Sequence, residues 1–498
     1  MLGLRLTTRA WRAARTTAMR APWSARCAMS SNAGAEALRV CIVGSGPGGF
    51  YAAKYLLKEH PNAQVNMLEM LPTPFGLVRA GVAPDHPEVK SVISDFEKVA
   101  AEERFAFLGN VTLGRDVHMD ELKERYNAVV LAYGAAGDRT LGVPGEQLGN
   151  VHSARAFVNW YNGHPSFRDL EPDLSGDTAV IFGQGNVAVD CARILTKSTD
   201  ELATTDIAKH ALDALRNSNV KNVYLVGRRG TAQAAFTMKE LREITKLDGV
   251  SCVVNPEDIK QSTTESSVKE LGEHRAKKRI HELLTKIAAN YDEASTAERQ
   301  IKIKFLASPA ELLPSDSNPE CVGAARVEKT RLEGEANHQK AVGTGEFEEI
   351  PCGLVLRSIG YKSHAIEGVP FDMKRHVVSN QGGRAIDPAS GEQVVGVYCT
   401  GWLKRGPTGI IGSNIIDARE TVSCLVEDAH KNNLITPSIS SGLEGLAELI
   451  KSRDPTKQLV QWEDVTKLHA EEFRRGESDN KPREKVTSVK EMLQIITR

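Results

Sequence analysis

The chain has 498 residues, with 63 Lys and Arg against 64 Asp and Glu and a formal net charge of −1. That length exceeds one ordinary core and predicts two domains of about 150 to 250 residues each. A balanced charge excludes a global attraction to nucleic acid or membrane, so any partner must be recognised by local patches. The longest apolar runs, such as Asn127 to Tyr133, fall far short of the roughly 20 residues a bilayer span requires.

The first 35 residues stand apart from the rest. Arg5, Arg9, Arg12, Arg15, Arg20 and Arg26 are interspersed with Leu, Ala, Thr, Ser and Trp, and no acid precedes Glu36. An Arg-rich, acid-free leader has the pattern of a mitochondrial transit peptide, here residues 1–35, whereas the arginines interrupt the apolar stretch a secretory signal needs. An untargeted basic tail is the plainer alternative. The eight cysteines include no C-x-x-C pair, which argues against a dithiol redox centre or a cysteine-ligated metal and for a reducing compartment.

The stretch Val40 to Gly49, VCIVGSGPGG, predicts a buried strand, a glycine turn and then a helix over Phe50 to Glu59. Gly44, Gly46 and Gly49 satisfy G-x-G-x-x-G. In a βαβ unit the first glycine permits the turn, the second admits a pyrophosphate, and the third lets helix pack on strand. The helix N-terminus then offers free N–H groups to phosphate. A second strand, Val65 to Glu69, ends in an acid at the distance where a carboxylate meets ribose hydroxyls. Next comes the Pro- and Gly-rich loop Leu71 to Lys90, which carries Phe75, Leu77, Val78, Arg79, Asp85 and His86; a loop of this length in a compact domain is usually functional. Asp85 and His86 could assist proton movement, but a structural loop is the better reading. A helix over Val89 to Glu103, a short strand over Val111 to Leu113 and a buried strand over Ala128 to Tyr133 are expected to follow.

A second fingerprint begins at Thr178. Gly183, Gly185 and Ala188 form G-x-G-x-x-A between a β-branched run and an amphipathic helix. The next strand, Asn222 to Val226, leads into Gly227, Arg228 and Arg229. Where an NAD site places an acid, two guanidiniums suit a 2′-phosphate, so this nucleotide should be NADP. Glu240, in a predicted helix over Lys239 to Leu247, could contact the nucleotide or pair with Arg228 or Arg229.

Between Val268 and Lys286, Arg275 and Arg279 lie four apart on one helix face with Lys278 beside them. They could steer an acidic partner, or form a solvated face, which is the commoner meaning of a charge run. Gly353 to Gly360 reads as another buried strand ending in glycine. Val395 to Tyr398 leads to Gly401, Trp402, a Gly/Pro loop, Gly409 and a predicted helix over Ile410 to Cys424, a third helix N-terminus aimed at a ligand. Trp402 could stack on a flat ring or sit in the core. The region Ser438 to Arg498, with its polar run Arg474 to Lys485, predicts helices and shows no functional pattern.

Taken together, VGSGPGGFYAA, PFGLVRAGVAPDHPEVK, IFGQGNVAVD, LVGRRG, LVLRSIGYKS and GWLKRGPTGIIGSN resemble the adrenodoxin reductases (NADPH:adrenodoxin, or ferredoxin, oxidoreductases) from about Arg39 to Lys485. The resemblance implies an α/β, glutathione-reductase-like flavoprotein with two Rossmann-like dinucleotide-binding domains. The FAD domain would be discontinuous, residues 38–138 and 362–498, with the NADP domain, 139–361, inserted between its parts. It implies FAD contacts at Gly44, Gly46, Gly48, Gly49, Glu69, Leu77, Leu113, Trp402, Gly409, Ile410 and Ile411. NADP would be held by Gln184, Gly185, Asn186, Val187, Arg228, Arg229 and Glu240, with Gly409 shared. Arg275 and Arg279 match positions that dock an acidic [2Fe–2S] ferredoxin. Gly48 stands where the family more often has alanine and Leu113 where it has valine, and neither change opposes a cofactor.

The activity implied is hydride transfer from NADPH to flavin and single-electron release to the ferredoxin, which feeds haem monooxygenases of steroid metabolism and iron–sulfur cluster assembly. No side-chain nucleophile and no metal are expected, because the cofactors carry the chemistry. A monomer in the mitochondrial matrix follows from the same resemblance, with peripheral attachment to the inner membrane left open. The alternatives are another NADPH-dependent flavoenzyme of this fold, or a non-catalytic NADPH-sensing flavoprotein.

Overall fold

The computed structural model describes residues 37–498, so the expected transit peptide, residues 1–35, lies outside the described residues. The glycine-bounded apolar runs become parallel strands in two separate sheets. The first has seven strands, in the order Asn380–Gln381, Arg384–Ile386, Gln393–Cys399, Ala128–Leu131, Leu38–Val43, Ala63–Glu69 and Phe105–Gly109. From Gln393–Cys399 onward the neighbours are parallel. The second has six parallel strands, in the order Val151–Ser153, Leu354–Arg357, Thr178–Phe182, Asn222–Val226, Gln300–Lys304 and Ser251–Val254. This is the expected α/β class, with one Rossmann-like sheet formed from sequence lying inside the other. An antiparallel ribbon, Gly137–Asp138 against Tyr361–Lys362, stands where the chain leaves the first sheet's sequence and returns to it.

Continuous apolar runs form here because both faces of each sheet are covered. Val40 and Ile42 pack into one cluster and Cys41 and Val43 into another; Ala179 and Ile181 are likewise divided from Val180 and Phe182. A three-stranded antiparallel sheet, Ala307–Pro314, Val322–Glu333 and Lys340–Pro351, packs on one face of the six-stranded sheet, against Val180, Phe182, Val226 and Val355.

Several predicted elements are corrected. The first helix starts at Pro47, in the first-turn position that tolerates a missing N–H. The helix expected over Val89 to Glu103 is two, Pro87–Lys90 and Ile93–Ala100. The hydroxyls of Ser91 and Ser94 donate to Glu88 O and Ser91 O at this break, competing with the helical ladder. Val111 to Leu113 is not a strand but leads into a tight turn, in which Asp116 accepts from the Thr112 N–H at 2.8 Å and Gly114 takes a φ of +87°. The basic stretch splits at His274 into helices Glu265–Glu273 and Arg275–Ala288. The helix expected over Ile410 to Cys424 runs instead over Ser413–His430, after a single turn Trp402–Arg405.

The polar run Arg474 to Lys485 proves structural. Lys481, Arg483 and Lys485 are buried where the C-terminal segment meets the second unit. The Lys485 ammonium lies 3.0 Å from the Asp206 carboxylate, which Lys90 meets at 2.6 Å from its other side. Lys481 donates to Ile207 O. Glu472, fully buried, pairs with Arg79 and lies 3.4 Å from Arg483. Burial opposes its charge, but the two guanidiniums prevail and hold its carboxyl down to about 2.

Candidate functional site

The first glycine turn is shaped by close backbone approach. Gly44 has φ +106°, and a Cβ there would lie 2.5 Å from Ala132 O; one on Gly49 would lie 2.0 Å from Gly44 O. A Cβ on Gly46 would meet nothing within 4 Å, so the middle glycine faces open space, as pyrophosphate approach requires. The helix Pro47–Glu59 has no side-chain cap, which leaves its first N–H groups for a ligand. The turn Gly401–Trp402 closes against Gly48, whose Cβ would sit 3.5 Å from Gly401 Cα and from Thr400 Cγ2. The Thr400 hydroxyl is buried there without a protein partner. A cradle that extra methyls would fill, an uncapped helix and an orphaned hydroxyl together fit a dinucleotide such as FAD.

Glu69 accepts from the Ser45 hydroxyl at 2.6 Å, the Ser45 N–H at 3.1 Å and the Leu71 N–H at 3.1 Å. Burial raises its pKa and these bonds oppose the shift. Leu77 opens the short helix after Gly76, and Phe75 N–H donates to Ser45 O, which brings this loop over the turn. Leu113 follows Val111, whose N–H donates to Glu69 O at 2.9 Å. Trp402 is half-buried rather than a core residue, with its ring 5.5 Å from that of Tyr361. Gly409 has φ +82°; it and Ile410 are exposed, and Ile411 is half-buried.

The second turn repeats the design. Gly183 has φ +132°, with a would-be Cβ 2.1 Å from Ser358 O, while Gly185 faces open space. The helix Asn186–Thr196 lacks a side-chain cap. Asn186 Oδ1 accepts from the Thr237 N–H at 2.8 Å and Gln184 O from the Ala235 N–H at 3.0 Å, so residues 235–237 fold over the turn; Val187 beside it is half-buried. Arg228 and Arg229 are held by their carbonyls, which accept from Thr330 and Leu306. Both are exposed and have no ion-pair partner among the described residues. This arrangement fits a 2′-phosphate.

Glu240 does not pair with either arginine. It lies 3.4 Å from Arg193, a buried residue that also binds Asp85 at 2.8 and 3.0 Å and Asp190 at 2.7 Å. Beside this group His86 meets Glu243 at 2.8 Å. Asp85 belongs to the long loop of the first unit and Arg193 to the second, so Asp85 serves as a joint. Burial disfavours the Asp85 charge, but Arg193 overrides it and holds the carboxyl down to about 2. Burial raises Asp190 and Glu240. His86, Asp190 and Glu240 bring donor atoms within 4.8 Å of one another, yet the guanidinium of Arg193 already supplies a cation to this cluster. The signal for Arg193 in the sequence was a lone charge within the apolar run CARIL.

Arg275 and Arg279 stand exposed on the helix Arg275–Ala288 with Lys278 beside them, and neither arginine has an ion-pair partner among the described residues.

A family model described as pyridine nucleotide-disulphide oxidoreductase matches residues 38–276. The chain is 47% identical over 470 residues to the mitochondrial NADPH:adrenodoxin oxidoreductase of Arabidopsis thaliana, covering 93% of this chain and 96% of that protein. It is 48% identical over 465 residues to the protein of the same name from Homo sapiens, covering 92% of each. Among solved structures, FprA from Mycobacterium tuberculosis in complex with NADPH superposes with a TM-score of 0.85 at 40% identity, covering 93% of this chain and 100% of that one.

Proposed function

The chain belongs to the NADPH:adrenodoxin oxidoreductases, and from that premise we propose that its two glycine turns hold FAD and NADPH respectively and that its basic helix docks a ferredoxin. The protein is an FAD-dependent NADPH oxidoreductase that passes electrons to a ferredoxin-type partner, and its compartment is the mitochondrion. The assignment of the turns is carried by one contrast. Glu69 stands at the end of the second strand in one unit, and Arg228 and Arg229, exposed and without an ion-pair partner among the described residues, follow it in the other. A carboxylate suits free ribose hydroxyls, and guanidiniums suit a 2′-phosphate.

FAD, when bound, supplies chemistry no side chain here has, accepting electrons from NADPH in pairs and releasing them singly. The residues do the positioning. Gly44 to Gly49 and the uncapped helix behind them bind the FAD pyrophosphate, and Glu69 holds the adenosine ribose. Leu77, Leu113, Trp402 and Gly409 to Ile411 enclose the remainder. Gln184 to Val187, Arg228, Arg229 and Glu240 hold NADPH. In this reading the FAD unit comprises residues 38–138 and 362–498 and the NADP unit residues 139–361, and the monomer works in the matrix. Arg275 and Arg279 give an acidic [2Fe–2S] ferredoxin a charged landing surface.

The purified protein should be yellow, should bleach with NADPH, and should reduce cytochrome c only when a mitochondrial ferredoxin is added, with a rate that falls as salt rises. A colourless protein unable to take up FAD would refute the reading. Bleaching with no response to ferredoxin would leave an NADPH-sensing flavoprotein instead.

A further inference from the structure

The two glycine turns can be aligned by strand register. Val43 pairs with Leu68 and Phe182 pairs with Val226, so Gly227 occupies the place that Glu69 has in the first unit, and Gln184 the place of Ser45. In the first unit the residue between the glycines is small, and its hydroxyl donates to the acid at 2.6 Å. In the second unit it is long and fills that space itself. The Gln184 amide donates to Lys304 O at 2.9 Å and to Leu225 O at 3.3 Å, so it is tied to two neighbouring strands. A Cβ on Gly227 would lie 2.1 Å from Gln184 Oε1 and 2.2 Å from its Cδ. Gly227 is not among the glycines with positive φ, so a side chain there would meet no backbone strain but would have to move the Gln184 amide.

We infer that Gln184 is a specificity-determining residue, whose amide occupies the volume that a carboxylate at position 227 would need in order to grip the ribose of NAD. The inference rests on the assignment of NADPH to this turn and deepens it. Discrimination then has two separable parts. Arg228 and Arg229 attract the 2′-phosphate, and Gln184 excludes the acid that would reward its absence. Moving Gln184 aside would give up two hydrogen bonds to strand carbonyls, so the amide resists displacement although it ends a flexible side chain.

The test is equilibrium binding of NADP⁺ and of NAD⁺, by calorimetry, to the flavin-loaded wild type, Gly227→Glu, Gln184→Ser and the double variant; flavin content and melting temperature report folding. The wild type should prefer NADP⁺. Gly227→Glu alone should lose NADP⁺ affinity without gaining NAD⁺, because Gln184 blocks the new carboxylate. The double variant, which copies the Ser45–Glu69 pair, should bind NAD⁺ at least about tenfold more tightly than Gly227→Glu does. If Gly227→Glu alone gains NAD⁺ as much as the double variant, or if a folded double variant gains none, the role of Gln184 is overturned. Should the glutamate pair lose flavin, Gln184→Ser with Gly227→Asp is read in the same way. A wild type that binds both dinucleotides equally would refute the NADPH assignment itself, before any substitution is made.

Discussion

Replacing Glu472 by Gln tests whether buried charge fastens the long loop of the first unit to the C-terminal segment. The carboxylate accepts from Arg79 Nη1 and from the Val486 N–H, each at 2.9 Å, with Arg483 at 3.4 Å. The amide keeps the shape and removes the charge, leaving two nearly buried guanidiniums without the anion they share. Removing one partner of a buried pair costs about 3 to 5 kcal/mol. The carboxyl is also held at about 2 against an ordinary value of 4.5, a difference worth about 3 kcal/mol, so the two routes agree. Because the folded-state value is the lower one, this stability is fully present above a pH of about 4.5 and is lost as pH falls through about 2. Urea unfolding followed by tryptophan fluorescence should therefore show the variant several kcal/mol weaker at neutral pH, with the gap narrowing on acidification. A variant within about 1 kcal/mol of wild type at neutral pH, or a gap that acid leaves unchanged, would show that this charge does not fasten the loop.

Neutralising Arg228 and Arg229 together should weaken NADPH by about 30- to 150-fold, since two exposed charge-assisted contacts are worth about 2 to 3 kcal/mol in all. NADH should change little, and equal losses for both would contradict the phosphate assignment. Charge reversal at Arg275 and Arg279 should raise the KM for ferredoxin and leave flavin reduction by NADPH intact in stopped-flow traces; an unchanged KM would remove the pair from the docking surface. Trp402→Ala should lower the flavin-to-protein ratio retained through dialysis, while a ratio equal to wild type would take the ring away from the cofactor. Asp85→Asn should loosen the joint with Arg193, read as faster proteolysis between the units, and an unchanged digestion rate would sink that role.

Both turns were legible in the sequence because a parallel strand buried on two faces leaves a continuous apolar signature, and a phosphate turn leaves glycines at fixed spacing. The position of Arg228 and Arg229, exposed just past the strand Asn222–Val226, was legible for the same reason of spacing. What escaped was everything decided by long-range partners. Glu240 could be placed near the site, but its pairing with Arg193 required the long loop to arrive with Asp85. The polar run Arg474 to Lys485 showed no pattern because composition records that Lys481, Arg483 and Lys485 are charged, and not that Ile207, Glu472 and Asp206 wait for them. The broken helices escaped because serine hydroxyls, or a single extended residue such as His274, interrupt a pattern whose periodicity continues through the break.

Lys485 lies 279 residues after Asp206, so the ribosome delivers it and Arg483 long after both glycine turns. The two units can begin to collapse as they emerge, yet Asp206 and Glu472 receive their full set of countercharges only when Arg483 and Lys485 arrive. A product truncated before this segment would carry complete nucleotide turns on halves joined through Asp85 and Lys90 but lacking the C-terminal clamp, and so more open to proteases. Only a chain that carries this segment would then be secured for electron traffic.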